Sequence, residues 1–394
     1  MAESKPVSGM SLIFYDDSPV FGGHEVMALS GLEAVLSNSS DRVVFIASRS
    51  NQKLLAKLDE IRNRYQHLTI EVVDWQSSKL EGLRHWLMPW RSRKLAKKMA
   101  DCGGSMLVVV QGNIEHSSLG FFAAKQLGIR CLSYIPVPHT NAQMGAKLGA
   151  VRDIFCKRLW RMPDAWVTIT DEMARMLRQR GAMAPIRIVY NGVDIDRFCQ
   201  GDKKLARDQL KLPQDRVLLG VIGRIEFRQK QQHLLVEAVA GDEELSRQCH
   251  LVFAGDGPDA SRLSDMLNGG RVSGTMISWC DPAPLYRALD VVLIPSRYEG
   301  LPLVMLEALA SGTAVMGSDR DGMKDLLAGE YRFDAESLTA LRQCLKNWLR
   351  SGMPAAAEEL KNRVRSEMSL AAFAASFSHA IEAEKANSFF SKSG

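Results

Sequence analysis

Two glutamates, eight positions apart, stand out in the second half of the chain. The segment Pro295-Ser-Arg-Tyr-Glu-Gly-Leu-Pro-Leu-Val-Met-Leu-Glu-Ala-Leu-Ala-Ser-Gly312 carries Glu299 in a predicted loop and Glu307 in the middle of an apolar helix. A buried carboxylate needs hydrogen-bond donors, because an unpaired one is very costly. A vicinal diol such as a ribose offers two donors to one carboxylate. A structural pair with an arginine or with the backbone is the alternative for Glu307.

The spacing of these glutamates disfavours a pair of glycosidase carboxylates. Eight residues of helix span about 12 Å, whereas the two carboxylates of a glycoside hydrolase stand roughly 5–9.5 Å apart. Glu299 precedes the N–H groups at the start of the helix, and Gly300 permits close backbone approach to a ligand. We therefore predict that Glu299 and Glu307 are two ligand contacts and not an acid–base dyad.

Two cations are predicted beside the end of a buried strand. In Gly220-Val-Ile-Gly-Arg-Ile-Glu-Phe-Arg-Gln-Lys230 a strand ends before Gly223 and Arg224, and Lys230 stands where the next helix is predicted to begin. Cations beside a helix N-terminus attract phosphate oxygens. The pattern favours a diphosphate cradle at Arg224 and Lys230, with a solvated basic loop as the alternative.

Further candidates also follow predicted strands. Gly255-Asp-Gly-Pro-Asp-Ala260 fits the loose dinucleotide pattern G-x-G-x-x-A, but no acidic residue clearly ends a second strand about 20 residues later, which disfavours NAD. Gly22 and Gly23 either let the backbone approach a ligand or form a plain tight turn. His139, and more weakly His116, follow strands at positions suited to substrate contact, although a lone histidine is more often structural.

Two Asp-x-Asp pairs match the pattern that holds Mg²⁺ or Mn²⁺ on a sugar nucleotide. They are Asp194-Ile-Asp196 and Asp319-Arg-Asp321, and neither has a second carboxylate cluster in obvious support. If Arg224 and Lys230 neutralise a diphosphate, a divalent ion is redundant there. We therefore predict no metal and no cofactor.

The elements that position these residues are short apolar strands alternating with helices. The predicted strands cover residues 11–15, 43–46, 106–110, 131–136 and 166–170, then 217–222, 250–254, 276–279, 291–295 and 314–316. This alternation implies parallel sheets covered on both faces. We predict an α/β chain of two doubly wound domains that bind ligand at the carboxyl ends of their strands, in the cleft.

Length and composition support two domains in a reducing compartment. A chain of 394 residues exceeds one ordinary core, and the Asn191-Gly turn is a plausible hinge. We predict domains over 1–190 and 191–370, with a helix over about 371–394 that packs back on the first. With 46% hydrophobic and 24% charged residues the chain is neither disordered nor a coiled coil. Seven scattered cysteines, no signal-like amino terminus and no membrane-length apolar run predict a cytoplasmic location.

Taken together, these segments resemble the retaining GT-B glycosyltransferases of family 4. The resemblance is carried by Glu299-x7-Glu307, Gly223-Arg224…Lys230, Gly255-Asp-Gly-Pro, Asn191-Gly-Val-Asp and Gly22-Gly23. It implies two Rossmann-like domains facing across a cleft, an acceptor-side role for the first and a nucleotide-sugar donor held mainly by the second. The implied products are polysaccharides or glycoconjugates.

The resemblance also implies a role for each matching residue. Arg224 and Lys230 would bind the donor diphosphate, with Arg228 as an alternative because the spacing is one residue longer than usual. Glu307 would bind the ribose, and Glu299 would face the transferred sugar. The remaining donor contacts implied are Gly22, Gly23, Gly223, Gly255, Gly300 and the amides of Leu301 and Leu303, while His139 matches a family histidine near the sugar.

The implied reaction is metal-independent transfer with retention, in which the leaving phosphate helps to deprotonate the acceptor on the front face. No residue in these segments is recognised as a covalent nucleophile. A nucleotide-sugar epimerase or hydrolase of the same two-domain fold is the alternative, followed by a catalytically silent nucleotide-sugar binder.

Two basic stretches, residues 83–98 and 147–161, bear on the acceptor. Both contain tryptophan, and the positive excess behind the net charge of +5 lies in the first 190 residues. Such stretches can contact an anionic membrane peripherally at its inner face, which would suit a lipid-linked acceptor. The interpretation as solvated helices with core-facing tryptophans, which would suit a soluble glycan or small-molecule acceptor, is slightly favoured. No nucleic-acid reader motif is present, so no nucleic-acid partner is predicted.

Overall fold

The computed structural model describes residues 11–199, 201–278, 280–352 and 355–390. The predicted strand end at Trp279, the amino-terminal residues 1–10 and the predicted helix end over 391–394 lie outside these ranges. The chain divides into two compact units, one comprising Met1–Tyr190 with Phe373–Gly394 and the other Asn191–Ala372. Each unit contains one parallel sheet whose strands alternate with helices. The predicted fold class, two Rossmann-like α/β domains, is confirmed.

The first unit contains a seven-stranded parallel sheet in the order β3-β2-β1-β4-β5-β6-β7. Its strands are β1 (Ser11–Asp16), β2 (Val43–Ser48), β3 (Leu68–Val73), β4 (Gly104–Val110), β5 (Arg130–Tyr134), β6 (Ala165–Thr168) and β7 (Ile186–Ile188). Every residue of β2 is buried, so helices cover both faces of the sheet. Its helices are α1 (Gly23–Asn38), α2 (Gln52–Arg64), α3 (Glu81–Leu87), α4 (Trp90–Asp101), α5 (Leu119–Leu127), α6 (Gly149–Cys156) and α7 (Asp171–Gln179).

The second unit contains a six-stranded parallel sheet in the order β10-β9-β8-β11-β12-β13. Its strands are β8 (Val217–Ile222), β9 (Cys249–Ala254), β10 (Gly274–Ile277), β11 (Val291–Ile294), β12 (Ala314–Ser318) and β13 (Arg332–Phe333). The central strand β8 pairs with β9 on one side and β11 on the other. The loops that leave these three strands therefore emerge at one edge of the sheet.

Helices of the second unit place the predicted site residues, with one difference from the sequence prediction. They are α8 (Ile195–Phe198), α9 (Lys203–Gln209), α10 (Phe227–Lys230), α11 (Gln232–Ala240), α12 (Glu243–Gln248), α13 (Ala260–Asn268), α14 (Pro282–Ala288), α15 (Leu303–Ala310), α16 (Asp321–Leu326), α17 (Leu338–Ser351) and α18 (Ala355–Glu367). The prediction that Lys230 begins a helix is wrong. Lys230 ends the one-turn helix α10, and Gln231, at φ +50°, separates it from α11.

The last helix, α19 (Leu370–Phe390), packs within the first unit from Phe373 onward. Phe377 lies against α1, where a Cβ on Gly31 would approach its ring to 2.6 Å. The Glu384 carboxylate, buried in the same helix, accepts hydrogen bonds from Arg130 at 2.5 Å and Arg187 at 3.0 Å. No helix among the described residues is both long enough and apolar enough to span a bilayer.

Candidate functional site

Two glycines bring the loops after β8 and β9 together. Gly223 has φ +127° and Gly255 has φ +137°, a region of backbone conformation that favours glycine. The Gly223 N–H donates to the Ala254 carbonyl at 2.9 Å, and a Cβ on Gly255 would lie 2.2 Å from the Gly223 carbonyl oxygen. The glycines are therefore needed for contact between two backbone segments. Their predicted contact with a donor stays a prediction.

Arg224 follows directly, with a fixed backbone and an accessible side chain. Its carbonyl accepts a hydrogen bond from the Gln232 side chain at 2.8 Å. Its side chain is 64% exposed, and the Nε atom lies 3.7 Å from a Glu226 carboxylate oxygen. Arg228, the alternative cation, is similarly exposed and lies 3.8 Å from the same carboxylate group. Both cations therefore remain accessible to a solvent-borne anion.

Lys230 and Glu299 form an ion pair in the second unit. The Lys230 ammonium donates to Glu299, which is largely buried in the loop after β11. The neighbouring Gln229 carbonyl accepts from the Arg297 N–H at 2.8 Å, so α10 and this loop are also joined through their backbones. The structure thus places the predicted diphosphate contact and the predicted sugar contact side by side.

The segment that follows β12 also forms hydrogen bonds with the loop that contains Glu299. Asp321 accepts a hydrogen bond from the Glu299 N–H at 2.7 Å. Gly322 donates its N–H to the Gly300 carbonyl at 3.1 Å, and a Cβ on Gly322 would lie 2.4 Å from that oxygen. Farther along the loop, the Asn191 side-chain amide donates to the Leu301 carbonyl at 2.8 Å. These contacts hold the Glu299–Leu301 backbone in one conformation ahead of α15, which begins at Leu303.

The Asp-x-Asp carboxylates make contacts within the protein. Asp321 receives the Glu299 N–H, and Asp319 pairs with Arg332. Asp194 caps α8 by accepting the Arg197 N–H at 3.1 Å. These contacts give three of the four carboxylates, all except Asp196, a structural role.

Glu307 lies in the wall of a cavity of about 500 Å³. The Tyr286 hydroxyl donates to one Glu307 carboxylate oxygen at 2.5 Å, which supplies the donor expected for a carboxylate on an apolar helix. The cavity is lined by Arg197, Ile222, Gly223, Cys280, Asp281, Pro282, Tyr286, Val304 and Glu307. Glu307 and Gly223, far apart in sequence, thus share one cavity at the end of β8.

Burial raises the pKa of Glu307 above its usual range. The hydrogen bond from Tyr286 and the charge of Arg197 act in the opposite direction, because both stabilise the ionised carboxylate. Arg197 is itself paired with Asp281 at 2.8 Å. No local pattern in the sequence indicated Tyr286, Arg197 or Asp281, because their contacts join segments that are far apart in the chain.

The predicted contacts of the first unit are His139, Gly22 and Gly23. His139 is buried in the loop after β5. Gly22 caps α1 with φ −150°, which any residue adopts, and its N–H donates to a Glu25 carboxylate oxygen at 2.6 Å. A Cβ on Gly23 would meet nothing within 4 Å. The fold itself therefore makes no steric demand for glycine at position 23, and the predicted ligand roles stay predictions.

The two basic stretches form neighbouring helices with exposed apolar side chains. Trp86 in α3 is 73% exposed and Trp90 in α4 is 58% exposed, so the expectation of core-facing tryptophans is wrong for both. Trp160, in the second stretch, is buried. Helix α3 packs closely against α6, where a Cβ on Gly82 would lie 2.7 Å from the Phe155 carbonyl oxygen. The other exposed apolar side chains here are Leu87, Met88, Leu148, Val151, Ile154 and Phe155.

Comparison with curated proteins finds relatives over about half of this chain. A D-inositol 3-phosphate glycosyltransferase from Geodermatophilus obscurus is 36% identical over an alignment of 205 positions that covers 46% of this chain and 45% of the relative. A protein of the same name from Actinosynnema mirum is 35% identical over an alignment of 214 positions that covers 47% of this chain and 51% of the relative. The chain thus spans about half the length of the curated relatives it matches.

Solved structures resemble almost the whole chain. HepE from Anabaena, solved with UDP and glucose, has a TM-score of 0.75 at 16% identity and covers 95% of this chain and 100% of its own. Sucrose-phosphate synthase from Thermosynechococcus elongatus has a TM-score of 0.75 at 19% identity, with coverages of 96% and 100%. At such identities the likeness shows the fold.

Two family models match successive parts of the chain. The model described as Glycosyltransferase Family 4 matches residues 22–197, and the model described as Glycosyl transferases group 1 matches residues 216–350. The first match lies almost entirely in the first unit and the second lies in the second unit, and together they cover most of both sheets. The chain thus contains a Glycosyltransferase Family 4 domain followed by a Glycosyl transferases group 1 domain.

Proposed function

We propose that the chain transfers a sugar from a nucleotide-diphosphate sugar to an acceptor hydroxyl with retention of configuration. The observation that carries the proposal is the cavity at the end of β8, with Glu307 in its wall and Gly223 in its lining. A carboxylate in a cavity of this size is suited to accept both hydroxyls of a ribose. HepE was solved with UDP, which supports uridine nucleotides as the first donors to test.

In this proposal two side-chain cations neutralise the donor diphosphate. Arg224 is exposed beside the end of β8, and Lys230 is held near the loop after β11 by Glu299. Phosphate oxygens would compete with Glu299 for Lys230, and Glu299 would then accept a hydroxyl of the transferred sugar. Cations that are already in place stabilise the charge that develops on the leaving diphosphate. A metal ion on the diphosphate is redundant in this arrangement.

The remaining predicted contacts complete the reaction scheme. Gly300 and the amides of Leu301 and Leu303 would orient the sugar. The hydrogen bonds of Asp321 and Gly322 to the loop after β11 would hold that loop in place. Gly22, Gly23 and His139 stay predicted contacts from the first unit. The leaving phosphate would accept the proton of the acceptor hydroxyl on the face from which it departs. The new glycosidic bond then forms as the bond to the diphosphate breaks.

A donor screen followed by product analysis tests this function. Sugar nucleotides that differ in base and sugar are compared by thermal stabilisation of the wild type and of Glu307→Gln, with Glu330→Gln as an exposed matched control. We expect stabilisation by one nucleotide class, weakened only in Glu307→Gln. NMR of the product made with an acceptor should show the anomeric configuration of the donor.

Other outcomes favour the alternatives. Free sugar released without an acceptor would identify a hydrolase, and an isomerised sugar nucleotide would identify an epimerase. An inverted anomeric configuration would overturn the retaining mechanism. Stabilisation equal in Glu307→Gln would show that the ribose binds elsewhere.

We also propose that the acceptor is lipid-linked and that the first unit contacts the anionic inner face of a membrane. Trp86, Leu87 and Trp90 are exposed, as are Leu148, just before α6, and Ile154 within α6. Arg93, Lys94 and Lys97 follow in α4, so an apolar surface is bordered by cations. This combination suits insertion of aromatic rings at the headgroup level together with attraction to acidic lipids.

Liposome co-sedimentation tests the membrane contact. We expect binding to vesicles that contain phosphatidylglycerol, weaker binding to phosphatidylcholine alone, and a loss of at least several-fold in Trp86→Ser/Trp90→Ser. A double substitution of exposed apolar residues away from this surface, Met183→Ser/Leu205→Ser, is the matched control. Binding that is equal in both double variants, or absent from acidic vesicles, would contradict the proposal and favour a soluble acceptor.

A further inference from the structure

Three side chains with metal-binding chemistry converge at the carboxyl end of β1. Asp16 is the last residue of that strand, and His24 and Glu25 lie in the first turn of α1. One candidate ligand atom from each lies within 4.8 Å of the other two. His24 Nε2 is 3.0 Å from a Glu25 carboxylate oxygen. The connection of residues 17–22 folds back to bring the two elements together.

Each carboxylate of this cluster uses one oxygen for the backbone. Asp16 Oδ1 accepts from the Ser18 N–H at 2.8 Å, and Glu25 Oε2 accepts from the Gly22 N–H at 2.6 Å. The second oxygen of Asp16, Oδ2, is buried and has no hydrogen-bond partner among the described residues, while that of Glu25, Oε1, faces His24 Nε2 at 3.0 Å. Both residues are fully buried. A buried carboxylate oxygen without a donor is unfavourable, so the cluster has capacity for a ligand.

The charges around the cluster favour a cation as that ligand. Within the described part of the chain, neither Asp16 nor Glu25 forms an ion pair with a lysine or an arginine; the basic neighbour recorded for Glu25 is His24. Asp17 adds a third buried carboxylate, but its oxygens are occupied by the Tyr15 hydroxyl, Ser77 and the Ser117 N–H. Among the described residues, His24 is therefore the basic side chain that faces these two buried carboxylates.

We propose that Asp16, His24 and Glu25 bind a divalent first-row transition-metal ion such as Mn²⁺ or Zn²⁺. Two carboxylate oxygens and an imidazole nitrogen form a donor set that suits these ions, and the imidazole disfavours Mg²⁺ and Ca²⁺. Bonds of about 2.0–2.2 Å require the three atoms to close together slightly, by side-chain rotation. Three protein ligands leave at least one position for water or another ligand.

The proposal revises the prediction of no metal, which considered only carboxylates close together in sequence. Asp16 is eight residues from His24, and a β-strand followed by a turn makes them neighbours. The ion would lie in the first unit, whereas the proposed diphosphate contacts Arg224 and Lys230 lie in the second. The metal can be measured without donor or acceptor, so its test does not depend on the proposed transferase activity.

Metal binding to the full chain tests the proposal directly. Chelator-treated protein is titrated with Mn²⁺ and followed by electron paramagnetic resonance and calorimetry, because thiolates of the seven cysteines compete less for Mn²⁺ than for Zn²⁺. We expect one ion per chain and a dissociation constant at least tenfold weaker in His24→Gln and Glu25→Gln. Asp17→Asn is the matched control, since its carboxylate is adjacent and buried but already occupied; its affinity should stay within about threefold of wild type.

The titration of the wild type decides the question even if a variant fails to fold. An absence of Mn²⁺ binding to the wild type at submillimolar concentration, with none for Zn²⁺ either, overturns the site. Binding of equal strength in wild type, His24→Gln and Glu25→Gln also overturns it, because the ion then lies elsewhere. Circular dichroism of each variant establishes that the affinity is measured on folded protein.

Discussion

At the scale of single residues, burial and the Tyr286 hydroxyl act in opposite directions on the ionisation of Glu307. Burial favours the neutral carboxylic acid, and the Tyr286 hydroxyl partly offsets this by donating to the ionised form. A protonated Glu307 has only one oxygen that accepts well, so it cannot receive both hydroxyls of a ribose. Donor binding is therefore expected to weaken as the pH falls through the raised pKa of Glu307.

The substitution Tyr286→Phe tests this coupling. Loss of the hydroxyl removes a contact that lowers the pKa of Glu307, so that pKa should rise further. We expect kcat/KM for the donor to fall several-fold at pH 6 and less at pH 8, with the acid limb of its pH profile moved to higher pH. Tyr331→Phe, which removes a hydroxyl outside the cavity, is the control. A Tyr286→Phe profile that superimposes on the wild type would contradict the assignment.

The two cations of the proposed diphosphate site make a separate prediction. Arg224→Ala and Lys230→Ala should each lower kcat by roughly 10²–10³ at saturating donor, the scale for removing one preorganised electrostatic contact. Arg350→Ala, which changes an exposed arginine at the end of α17, should leave kcat within about twofold. Steady-state kinetics provide the measurement. Near-normal turnover in both Arg224→Ala and Lys230→Ala would contradict the assignment of these two residues to the donor diphosphate.

At the scale of elements, the loops after β8 and β9 depend on contact between two glycines. Gly255→Ala would place a Cβ 2.2 Å from the Gly223 carbonyl oxygen at a φ of +137°. We expect a loss of roughly 3 kcal/mol or more in the free energy of unfolding, because backbone must move. Gly312 has φ +81° and open space around it, so Gly312→Ala measures the cost of the backbone conformation alone. We expect this substitution to lower the free energy of unfolding by about 1–2 kcal/mol.

Urea denaturation of the two glycine variants provides the comparison. If Gly255→Ala is no less stable than Gly312→Ala, the close approach of the two loops is not a strong constraint in solution. If it is much less stable, the backbone path that delivers Arg224 is fixed by this contact.

At the scale of the whole molecule, α19 joins the carboxyl-terminal part of the chain to the first sheet. Burial acts to raise the pKa of Glu384, but hydrogen bonds and charges from Arg130 and Arg187 outweigh it and lower the pKa below its usual range. A carboxyl whose pKa is lowered on folding stabilises the fold above its unfolded pKa, and that stabilisation is lost as the pH falls through the folded value.

Glu384→Gln should therefore destabilise the protein in a pH-dependent way. At pH 7 we expect a loss of about 2–3 kcal/mol, less than for a fully buried pair because both arginines are partly exposed. The difference from wild type should begin to shrink below about pH 4.3, the usual pKa of a glutamate in the unfolded chain, and should be lost as the pH falls through the lower folded pKa. Thermal unfolding between pH 3 and pH 7 provides the measurement, with the exposed Glu382→Gln as control. A difference independent of pH would show that packing, not charge, is lost.

Most of the sheet scaffold follows from the sequence because its central strands are buried on both faces. Continuous apolar runs such as 217–222 and 106–110 predict strands in the interior of a sheet, and their alternation with helices predicts that the strands are parallel. The edge strands β3, β7 and the two-residue β13 were missed. The β3 sequence includes Glu71 and is half exposed, and β7 is too short to show a period.

The local sequence also indicated the positions of candidate site residues. Glycines, prolines and charged residues that follow a strand can be recognised from a few neighbouring residues. These patterns indicated Glu299, Glu307, Arg224 and Lys230, but not the partners of these side chains. Tyr286 beside Glu307, Asp321 beneath Glu299, and Asp16 beside His24 are juxtapositions between separate elements. Only the tertiary structure decides such contacts, because they depend on how strands order within the sheet and on which side chains burial brings into hydrogen-bond distance.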